Sequence, residues 1–448
     1  MLELLRREGP FAHRNVRLYT WFSVLYNARA YYPVMAILFL ALGLSVRQFF
    51  LLNMVWAAAI FLLEVPSGAI ADTVGRKRLV VLAAALMVAE MALLLFAPQN
   101  GGWVLFTMCL LNRLLSGASE ASASGADQAL AFDTLVEHGK QDQWDDVLAT
   151  AMRWRSIGFF LAMMIGALVY DPRALNWLLQ SDLEQATTLR IPLAIVFVQS
   201  ILCLGITLRM REPKRENPCE GTARERCASA AKLTLRTAAW VVNTPLALRI
   251  VLGGVLIDAV LRNFVTINSE YYRLIKLPEY SFGFIGAATA ALGFFTPVLA
   301  RMAVKKFTPM TNLALLAGVM FVGFLAVVPA VPYAGVLPVM ILISGFGWLE
   351  FITSSTLNRI ADSSQRATVL SVKGLAYNLG YGGLALAYAG VLGAFEEQTG
   401  SSGAALLKGL PWQAAWFAAT LVLFFVIFGR PPRSQPAAPE PAPEPDPS

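Results

Sequence analysis

The sequence predicts an all-α membrane protein with twelve transmembrane helices in two pseudo-symmetric six-helix bundles. Of the 448 residues, 57% are hydrophobic and only 15% are charged, whereas soluble domains carry about 25% charged residues. Apolar runs recur along the chain, and a run of about twenty residues crosses a bilayer core of about 30 Å as a helix. Because the runs are continuous rather than alternating, helices are favoured over a closed barrel, the other structure that satisfies every backbone group in lipid.

The first predicted span contains Pro33, which lacks an amide hydrogen and should disturb the helix locally. The longest gap between spans, 210–245, divides the twelve helices six and six. In chain order, the predicted spans are 18–42, 47–70, 79–97, 102–130, 146–170, 190–209, 246–272, 282–302, 309–328, 333–357, 367–393 and 411–429.

These spans predict two bundles, at 18–209 and 246–429, preceded by a cytoplasmic segment at 1–17. The central loop, 210–245, contains the basic stretch "ARERCASAAKLTLRTAAW", which fits either an interfacial helix or a solvated linker. The Pro-rich tail, 430–448, should be disordered or extended. The amino terminus lacks the apolar core and small-residue cleavage site of a signal peptide.

The distribution of Lys and Arg predicts the orientation, since cytoplasmic loops carry an excess of both. When the loop segments are taken to extend a few residues into the spans that they join, as in 209–249 and 358–373, 25 of the 36 Lys and Arg residues fall on the side of the amino terminus. Six fall in the opposite loops and five deeper within predicted spans. Both termini are therefore expected in the cytoplasm, and the protein in the inner or plasma membrane. The net charge of +7 is explained by topology and gives no support for nucleic-acid binding.

The two predicted bundles show signs of an internal repeat, as many transporters do. A shift of 231 residues places "VLYNARAYYPV" (24–34) over "VLIDAVLRNFV" (255–265), with four identical positions. The same shift aligns Asn27 with Asp258 and Pro66 with Pro297. One offset that serves two helices and their connection favours parallel repeats that have diverged.

A charged loop, "GAIADTVGRKR", interrupts the apolar sequence between the second and third spans. Its pattern resembles the signature loop between helices 2 and 3 of the major facilitator superfamily, and "NRLLSGASEA" in the fourth span is similar to that family's helix 4 motif. The resemblance extends over roughly residues 15–430 and implies the family's twelve-helix fold. The residues that carry the loop pattern are Gly68, Asp72, Gly75, Arg76, Lys77 and Arg78.

The resemblance implies that this loop latches the cytoplasmic side shut, near the start of helix 11. Gly68 should let helices approach closely, and Gly75 should permit a tight turn. The three cations should hold the loop in the cytoplasm and contact anionic lipid head groups. Asp72 is expected to pair with a cation or to meet the positive end of a helix. A charged loop that only fixes topology is the alternative.

Polar residues recur along the fourth span at Arg113, Gly117, Glu120, Ser124 and Asp127. Steps of four, three, four and three place them on one face of a helix. Charge at membrane depth costs several kcal/mol unless it faces a cavity or a partner. This polar stripe is therefore expected to line a central aqueous cavity, with a buried seam against another helix as the alternative.

Other charges fall in the first, seventh and tenth spans, which line the cavity in the family that the chain resembles. Asp258 and Arg262 are four residues apart and should form an ion pair. Asn27, Arg29 and the neighbouring tyrosines precede Pro33. The candidate cavity residues are Asn27, Arg29, Tyr32, Arg113, Glu120, Asp127, Asp258, Arg262 and Glu350.

Several functional classes lack support in the sequence. No predicted span contains a histidine, and no HExxH-like pattern is present, so an enzyme is not expected. Two of the four cysteines lie in spans and two in one loop, which does not provide the three or four ligands of a metal site. Neither a metal ion nor another cofactor is therefore predicted.

We therefore predict a secondary active transporter, expected to be a monomer, that moves a small organic molecule by alternating access. Proton-coupled efflux is the first interpretation, with protonation of Asp127 or Glu120 alternating with substrate binding. An importer of a small polar or anionic solute is the alternative, because Arg29, Arg113 and Arg262 would suit an anion. The fifth span lacks the proline-containing motif that drug–proton antiporters of this superfamily usually carry, which weakens assignment to that group without favouring a particular importer.

Overall fold

A computed structural model describes residues 9–213, 222–293, 296–362 and 365–429 of the chain. These ranges contain helices and no β-strand. Short 3₁₀ helices form at Gly9–Ala12, Tyr32–Val34 and Gln141–Gln143. The α-helices are α1 (Arg14–Asn27), α2 (Met35–Ala41), α3 (Val46–Val74), α4 (Arg76–Leu95), α5 (Gly102–Ala123), α6 (Ala126–Glu137), α7 (Trp144–Tyr170), α8 (Pro172–Leu179), α9 (Gln185–Thr188), α10 (Ile191–Leu208), α11 (Ala223–Asn243), α12 (Pro245–Leu274), α13 (Ser281–Gly293), α14 (Thr296–Lys306), α15 (Pro309–Val327), α16 (Val336–Ile360), α17 (Arg366–Thr399) and α18 (Ser402–Phe428).

The apolar helices confirm an all-α membrane protein. Nine helical stretches within the described ranges are long and apolar enough to cross a bilayer. The fourth, eighth and eleventh predicted spans fall on α5, α13–α14 and α17, which are outside this set, so the count of twelve stays a prediction. The nine stretches are Arg14–Ala41, Val46–Gly68, Arg76–Leu95, Gln141–Tyr170, Gln185–Leu208, Pro245–Leu274, Pro309–Val327, Val336–Ile360 and Ser402–Phe428.

The helices form two bundles, which we call the first half (α1–α10) and the second half (α12–α18). In the first half, α5 packs against α3 and α4, and α10 packs against α1 and α4. In the second half, α12 packs against α16, α17 and α18, and α15 packs against α16. The halves meet where α3 lies along α17 and where α7 lies along α13. Helix α11, in the predicted central loop, packs against α3 and α17.

The first predicted span is broken, as Pro33 predicts, but the break starts earlier than the proline. Helix α1 ends at Asn27, and α2 begins at Met35 after the 3₁₀ turn Tyr32–Val34. Helix ends leave backbone groups without intrahelical partners. The side chain of Gln199 donates to the carbonyl oxygens of Leu25 and Ala28, and the Ser269 hydroxyl accepts from the first amides of α2. Both halves therefore stabilise the break.

The last helix is longer than the sequence predicts. The prediction started the twelfth span at Pro411, whereas α18 begins at Ser402 and contains the proline. The correction has a physical reason: Ala405 and Leu406 in the added turns are fully buried in the core, which offsets the one backbone hydrogen bond that the proline removes. Predictions for residues 1–8, 214–221 and 430–448 lie outside the described residues.

The two ends of the bundle are distinguished by the residues that lie at them. We call the end with residues 75–78, 133–138 and 211–213 the motif face, and the opposite end the far face. At the far face, the halves touch closely: a Cβ at Gly283 of α13 would lie 2.5 Å from the Met163 carbonyl oxygen of α7. The Tyr280 amide donates to the Asp171 carboxylate across the same interface, at 3.2 Å.

Candidate functional site

A cavity of about 300 Å³ lies between the halves at mid-depth, and we call it the central cavity. It is at the small end of the range of about 300–1,000 Å³ that ligand pockets occupy. Side chains from α3, α5 and α7 face others from α12 and α17. Its lining residues are Tyr32, Met35, Asn53, Trp56, Arg113, Ser116, Glu120, Phe159, Met163, Arg262, Val265, Thr266, Asn268 and Tyr381.

The broken first span brings backbone and aromatic side chains to this cavity. The 3₁₀ turn starts at Tyr32, whose ring packs edge-on against Tyr31 at a centroid distance of 5.2 Å. Tyr32 lies in the wall of the central cavity, whereas Asn27 does not. The Asn27 amide donates to the Ser23 carbonyl oxygen at 2.8 Å, and its side chain lines a separate cavity of about 230 Å³ beside Arg155.

Glycine at position 117 determines how closely the helix that carries Arg113 and Glu120 approaches α3. A Cβ at Gly117 would lie 2.6 Å from the Cβ of Ala59 and 2.9 Å from the Trp56 carbonyl oxygen. Small residues at such positions allow helix backbones to pack together. The contact places the wall of α3, including Trp56, beside the polar side of α5.

Arg113 is a buried charge in the cavity wall without an ionic partner among the described residues. Its residue is 4% exposed, and its guanidinium carbon lies 4.8 Å from the centroid of the Phe39 ring. Within the described part of the chain, its Nε and Nη2 atoms have no hydrogen-bond partner, and no carboxylate lies within 4 Å. A cation–π contact offsets part of the desolvation cost but does not neutralise the charge.

Arg262, across the cavity, is fully engaged by its own half. Its guanidinium pairs with Asp258 at 2.8 Å, as the four-residue spacing predicts, and donates to the Asn378 amide oxygen at 2.8 Å. The Tyr381 ring lies 5.4 Å from its guanidinium carbon. Asp258 and Arg262 also line a neighbouring cavity of about 450 Å³, so the predicted pair stands between two cavities.

Glu350 lies in that neighbouring cavity rather than in the central one. Its carboxylate pairs with Lys373 of α17 at 2.8 Å and accepts from the Ser354 hydroxyl at 2.5 Å. The Lys373 side chain is 8% exposed, whereas the Glu350 side chain is 61% exposed. The buried ammonium of Lys373 requires this carboxylate as its counter-ion. The contacts of Glu350 are therefore explained by its pairing with Lys373, without a role in substrate binding.

Arg29, which the sequence placed in the cavity, lies elsewhere, and this prediction is corrected. Its side chain is 3% exposed and pairs with Glu90 of α4, which is fully buried. The backbone carbonyl of Glu90 accepts from the Asn112 amide at 2.8 Å. The physical reason is that a buried cation takes the nearest buried carboxylate, and α4 supplies one inside the first half.

Asp127 is likewise separated from the polar stripe. Helix α5 ends at Ala123, and Gly125 has φ of +71°, a left-handed conformation that starts the new helix α6. Asp127 therefore lies in the first turn of α6, where its carboxylate accepts from the Gln128 amide at 2.7 Å. The prediction of one continuous helical face from Arg113 to Asp127 is wrong, although Arg113 and Glu120 share the cavity wall.

The loop motif forms a closely bonded corner at the motif face. Gly75 has φ of +111°, and a Cβ there would lie 2.9 Å from the Glu212 carboxylate. That carboxylate accepts from the amides of Arg76 and Lys77 at the start of α4, at 2.9 and 2.8 Å, where negative charge is favourable. The Arg76 guanidinium pairs with Asp133 of α6 at 2.6 Å. Gly75 therefore lies where the chain turns from α3 into α4 with a positive φ.

The other motif positions differ from Gly75 and Arg76 in their surroundings. No described atom lies within 4 Å of a Cβ built at Gly68, so the predicted close helix approach is absent there in this conformation. Lys77 is half-buried and Arg78 is exposed. The Asp72 side chain lies outside the described residues, and its proposed partner is not assigned.

A histidine pair lies nearby on the motif face. The rings of His13 and His138 are 4.0 Å apart, and Phe11, one turn away, is fully buried among residues of α1, α6 and α7. Burial, with the charges of His138, Lys140 and Arg17 adding to it, lowers the pKa of His13 below its usual 6.5. The neutral imidazole is therefore favoured where the amino-terminal segment packs.

Several lining residues were missed by the sequence analysis. Asn53 and Trp56 lie within an apolar run, and nothing in their spacing separates them from core residues. Thr266 and Tyr381 share a hydrogen bond of 3.1 Å between α12 and α17, which is a tertiary contact. Lys373 carried a usable signal, because a charge inside a predicted span is a functional candidate.

Comparison with known proteins gives one family and many structures of the same fold. Residues 20–387 match the model of the Major Facilitator Superfamily, and no curated protein matches the chain. The nucleoside transporter NupG has a TM-score of 0.65 at 15% identity, with 93% of this chain and 99% of that chain covered. A bacterial homologue of the human lysosomal transporter Spinster, inward-facing and unoccupied, gives 0.65 at 17%, with 93% and 95% covered. The D-xylose–proton symporter gives 0.62 at 13%, with 93% and 97% covered.

Proposed function

Because the chain belongs to the Major Facilitator Superfamily, we propose that it is a secondary active transporter that moves a small organic molecule by alternating access. Membership in this family makes it a multi-pass membrane transporter and not an enzyme. The central cavity is the proposed substrate site. Transporter sites are found near the bilayer midplane at the interface between repeats, and residues of both halves line this cavity.

The observation that carries the proposal is that both halves build the cavity and meet closely at one end of it. The Ser269 hydroxyl of α12 holds the first amides of α2 at the far face, and Arg47 of α3 approaches Glu397 of α17 to 3.9 Å. Rocking of one half against the other would break these contacts and expose the cavity on the far side.

A cysteine in the cavity wall tests alternating access without knowledge of the substrate. Ser116→Cys is introduced after the four native cysteines are replaced, and a membrane-impermeant maleimide is applied from either side of sealed vesicles. We expect labelling from both sides, because each state exposes the cavity to one side. Labelling from one side only would refute transport and leave a static pocket.

Cross-linking the far face supplies a second arm of the same experiment. A short bismaleimide that joins Arg47→Cys to Glu397→Cys should abolish labelling of Ser116→Cys from the far side and preserve it from the motif face. The matched control joins Arg273→Cys to Glu279→Cys, an ion pair at 2.6 Å within the second half. That link should leave labelling from both sides unchanged.

The proposed direction is export in exchange for protons, with Glu120 as the proton carrier. Of the two carboxylates considered from the sequence, Glu120 faces the cavity and Asp127 does not. The Glu120 side chain is exposed in the wall of this cavity, so a proton can reach its carboxylate. In proteoliposomes, Glu120→Gln should abolish transport driven by an imposed proton gradient and retain exchange at zero gradient. Full gradient-driven transport in this variant would exclude Glu120 as the carrier.

Import of a small polar or anionic solute is the second candidate, supported by uncompensated Arg113 in the cavity wall. Transport assays in both orientations, with the proton gradient inverted, separate the two directions.

For the membrane arrangement, we propose a monomer in the inner or plasma membrane, with both termini and the motif face in the cytoplasm and its loop cations near anionic lipids. An epitope at the amino terminus should be inaccessible from outside intact cells.

A further inference from the structure

We infer that the central cavity takes an organic anion, whose carboxylate-type group binds Arg113 and whose apolar body lies against the aromatic wall. This inference rests on the proposed function, since it names the substrate class of the same site. It depends on three observations. The first is that two donors of Arg113 lack a partner among the described residues, and the second is that the other nearby cations are paired. The third is the apolar cavity that continues from the central cavity between α7 and α13.

The free donors of Arg113 have the geometry of an anion site. The Nε and Nη2 hydrogens of a guanidinium point in the same direction and form a planar fork, which matches the two oxygens of a carboxylate. Both atoms lack a hydrogen-bond partner among the described residues and are themselves fully buried, in a side chain that lines the cavity. A carboxylate therefore reaches this fork when the guanidinium turns toward the cavity. A buried charge without a partner is costly, so an anionic ligand would gain the full pair.

The other cations near the cavity are not available in this way. Arg262 is held by Asp258 and Asn378, as described above, and Lys373 is held by Glu350. The carboxylate of Glu120, the remaining charged group of the central cavity, lies on the same helix as Arg113 but forms no ion pair with it. The attraction for an anion is therefore concentrated on Arg113.

An apolar extension gives room for the body of the ligand. A second cavity of about 270 Å³ shares Tyr32, Phe159 and Met163 with the central cavity and continues between α7 and α13. Phe282 and Ile343 complete its wall. An anion that consists of a charged head and a flat apolar body fits this arrangement, with the head at Arg113 and the body toward the extension.

The test compares carboxylates with their neutral amides on the purified full-length protein. Benzoate and 2-naphthoate are measured beside benzamide and 2-naphthamide by equilibrium dialysis at neutral pH. Each acid has the ring and size of its amide, so a difference reports the charge. We expect the better acid to bind at least tenfold more tightly than its amide, since a tenfold change is about 1.4 kcal/mol.

Variants assign this preference to Arg113. Arg113→Gln should remove the preference for the acids and leave amide binding unchanged. Arg113→Lys, which keeps the charge but not the fork, should retain an intermediate preference. Glu120→Gln should strengthen acid binding, because it removes a like charge from the cavity. Arg173→Gln, at an exposed arginine of α8 outside the cavity wall, is the matched control and should change nothing.

The outcomes separate this inference from the proposed function. If Ser116→Cys is labelled from both sides but neither acid binds better than its amide, the transporter stands and the anion site is overturned. If the acids bind through Arg113 but labelling occurs from one side only, the anion site stands and transport fails. A preference that persists in Arg113→Gln places the anion elsewhere and also overturns the inference.

Discussion

The two halves differ in how the cations in and near the cavities are paired with carboxylates. In the second half, Arg262 and Lys373 each have a carboxylate within 3 Å, at Asp258 and Glu350. The first half pairs Arg29 inside its own core, away from the cavity, and leaves Arg113 in the cavity wall without an anionic partner in the described chain. The comparison shows that the cations of the second half beside the cavities are paired with carboxylates, whereas Arg113 of the first half is not.

A second difference concerns the backbone of the helices that the internal repeat aligns. The aligned segment of the first half is interrupted after Asn27, whereas its counterpart lies within α12, which is continuous from Pro245 to Leu274. The first half therefore contributes both a charge and an irregular backbone to the cavity. Irregular backbone at membrane depth is tolerated where protein or a cavity surrounds it.

Breaking the buried pair of the first half should have the largest effect on stability. Glu90→Gln leaves the Arg29 guanidinium buried without a counter-ion, which costs about 3–5 kcal/mol. Thermal unfolding in detergent should show the loss. The double variant Arg29→Leu/Glu90→Leu should recover much of it, and equal losses in the single and double variants would contradict the ion-pair explanation.

Filling the space beside the broken backbone should have the next largest effect. A Cβ at Gly166 of α7 would lie 1.6 Å from the Ala30 carbonyl oxygen, so Gly166→Ala must displace the break and should cost about 1–3 kcal/mol. The control in the continuous second half is Gly318→Ala, where no described atom lies within 4 Å of the new Cβ. That change should be neutral or stabilising in the same unfolding assay.

Removing the carboxylate partner of Arg262 should give the second half an unpaired cation at the cavity, as the first half has in Arg113. Asp258→Asn removes the carboxylate partner of Arg262, whose side chain is 28% exposed, and leaves its bond to Asn378. A second uncompensated cation should strengthen binding of the carboxylate probe by about 5-fold, or about 1 kcal/mol. Equilibrium dialysis measures it, and unchanged affinity would show that Arg262 does not face the ligand.

The smallest predicted effect is a pH response confined to the first half. Because the folded pKa of His13 is depressed, its contribution to stability is present above the usual pKa of 6.5 and is lost as the pH falls through the folded value. Protonation should loosen the packing of Gly9–Ala12 near His138. Hydrogen exchange of this segment should rise at acidic pH, and His13→Gln should remove the pH dependence. An equal rise in the second half, which has no histidine, would contradict this origin.

The sequence predicted the fold class well because hydropathy and charge placement act at the scale of whole helices. It also predicted the ion pair of Asp258 and Arg262, since four residues make one helical turn. It failed for Asp127 because one glycine, at position 125, ended the helix that the spacing argument had assumed to continue.

Which buried charges meet across helices was not predictable from local pattern. Arg29 and Arg113 look alike in the sequence, as single arginines inside apolar spans. One meets Glu90 and the other meets the Phe39 ring, and that difference is decided by packing between elements distant in the chain. The Glu90–Arg29 pair also shows that an intramembrane charge can be structural, although function is the default expectation.

Hydrogen bonds between the start and the end of the first half bear on how a gene for two such bundles can form by duplication. The Asn15 side chain donates to the Arg211 carbonyl oxygen at 2.8 Å and accepts from the Arg211 amide at 2.9 Å. The polypeptide thus enters and leaves this bundle at neighbouring points on one face. A gene segment that encodes such a unit can be copied in tandem with a short joining sequence, and the second copy enters the bilayer in the same orientation as the first.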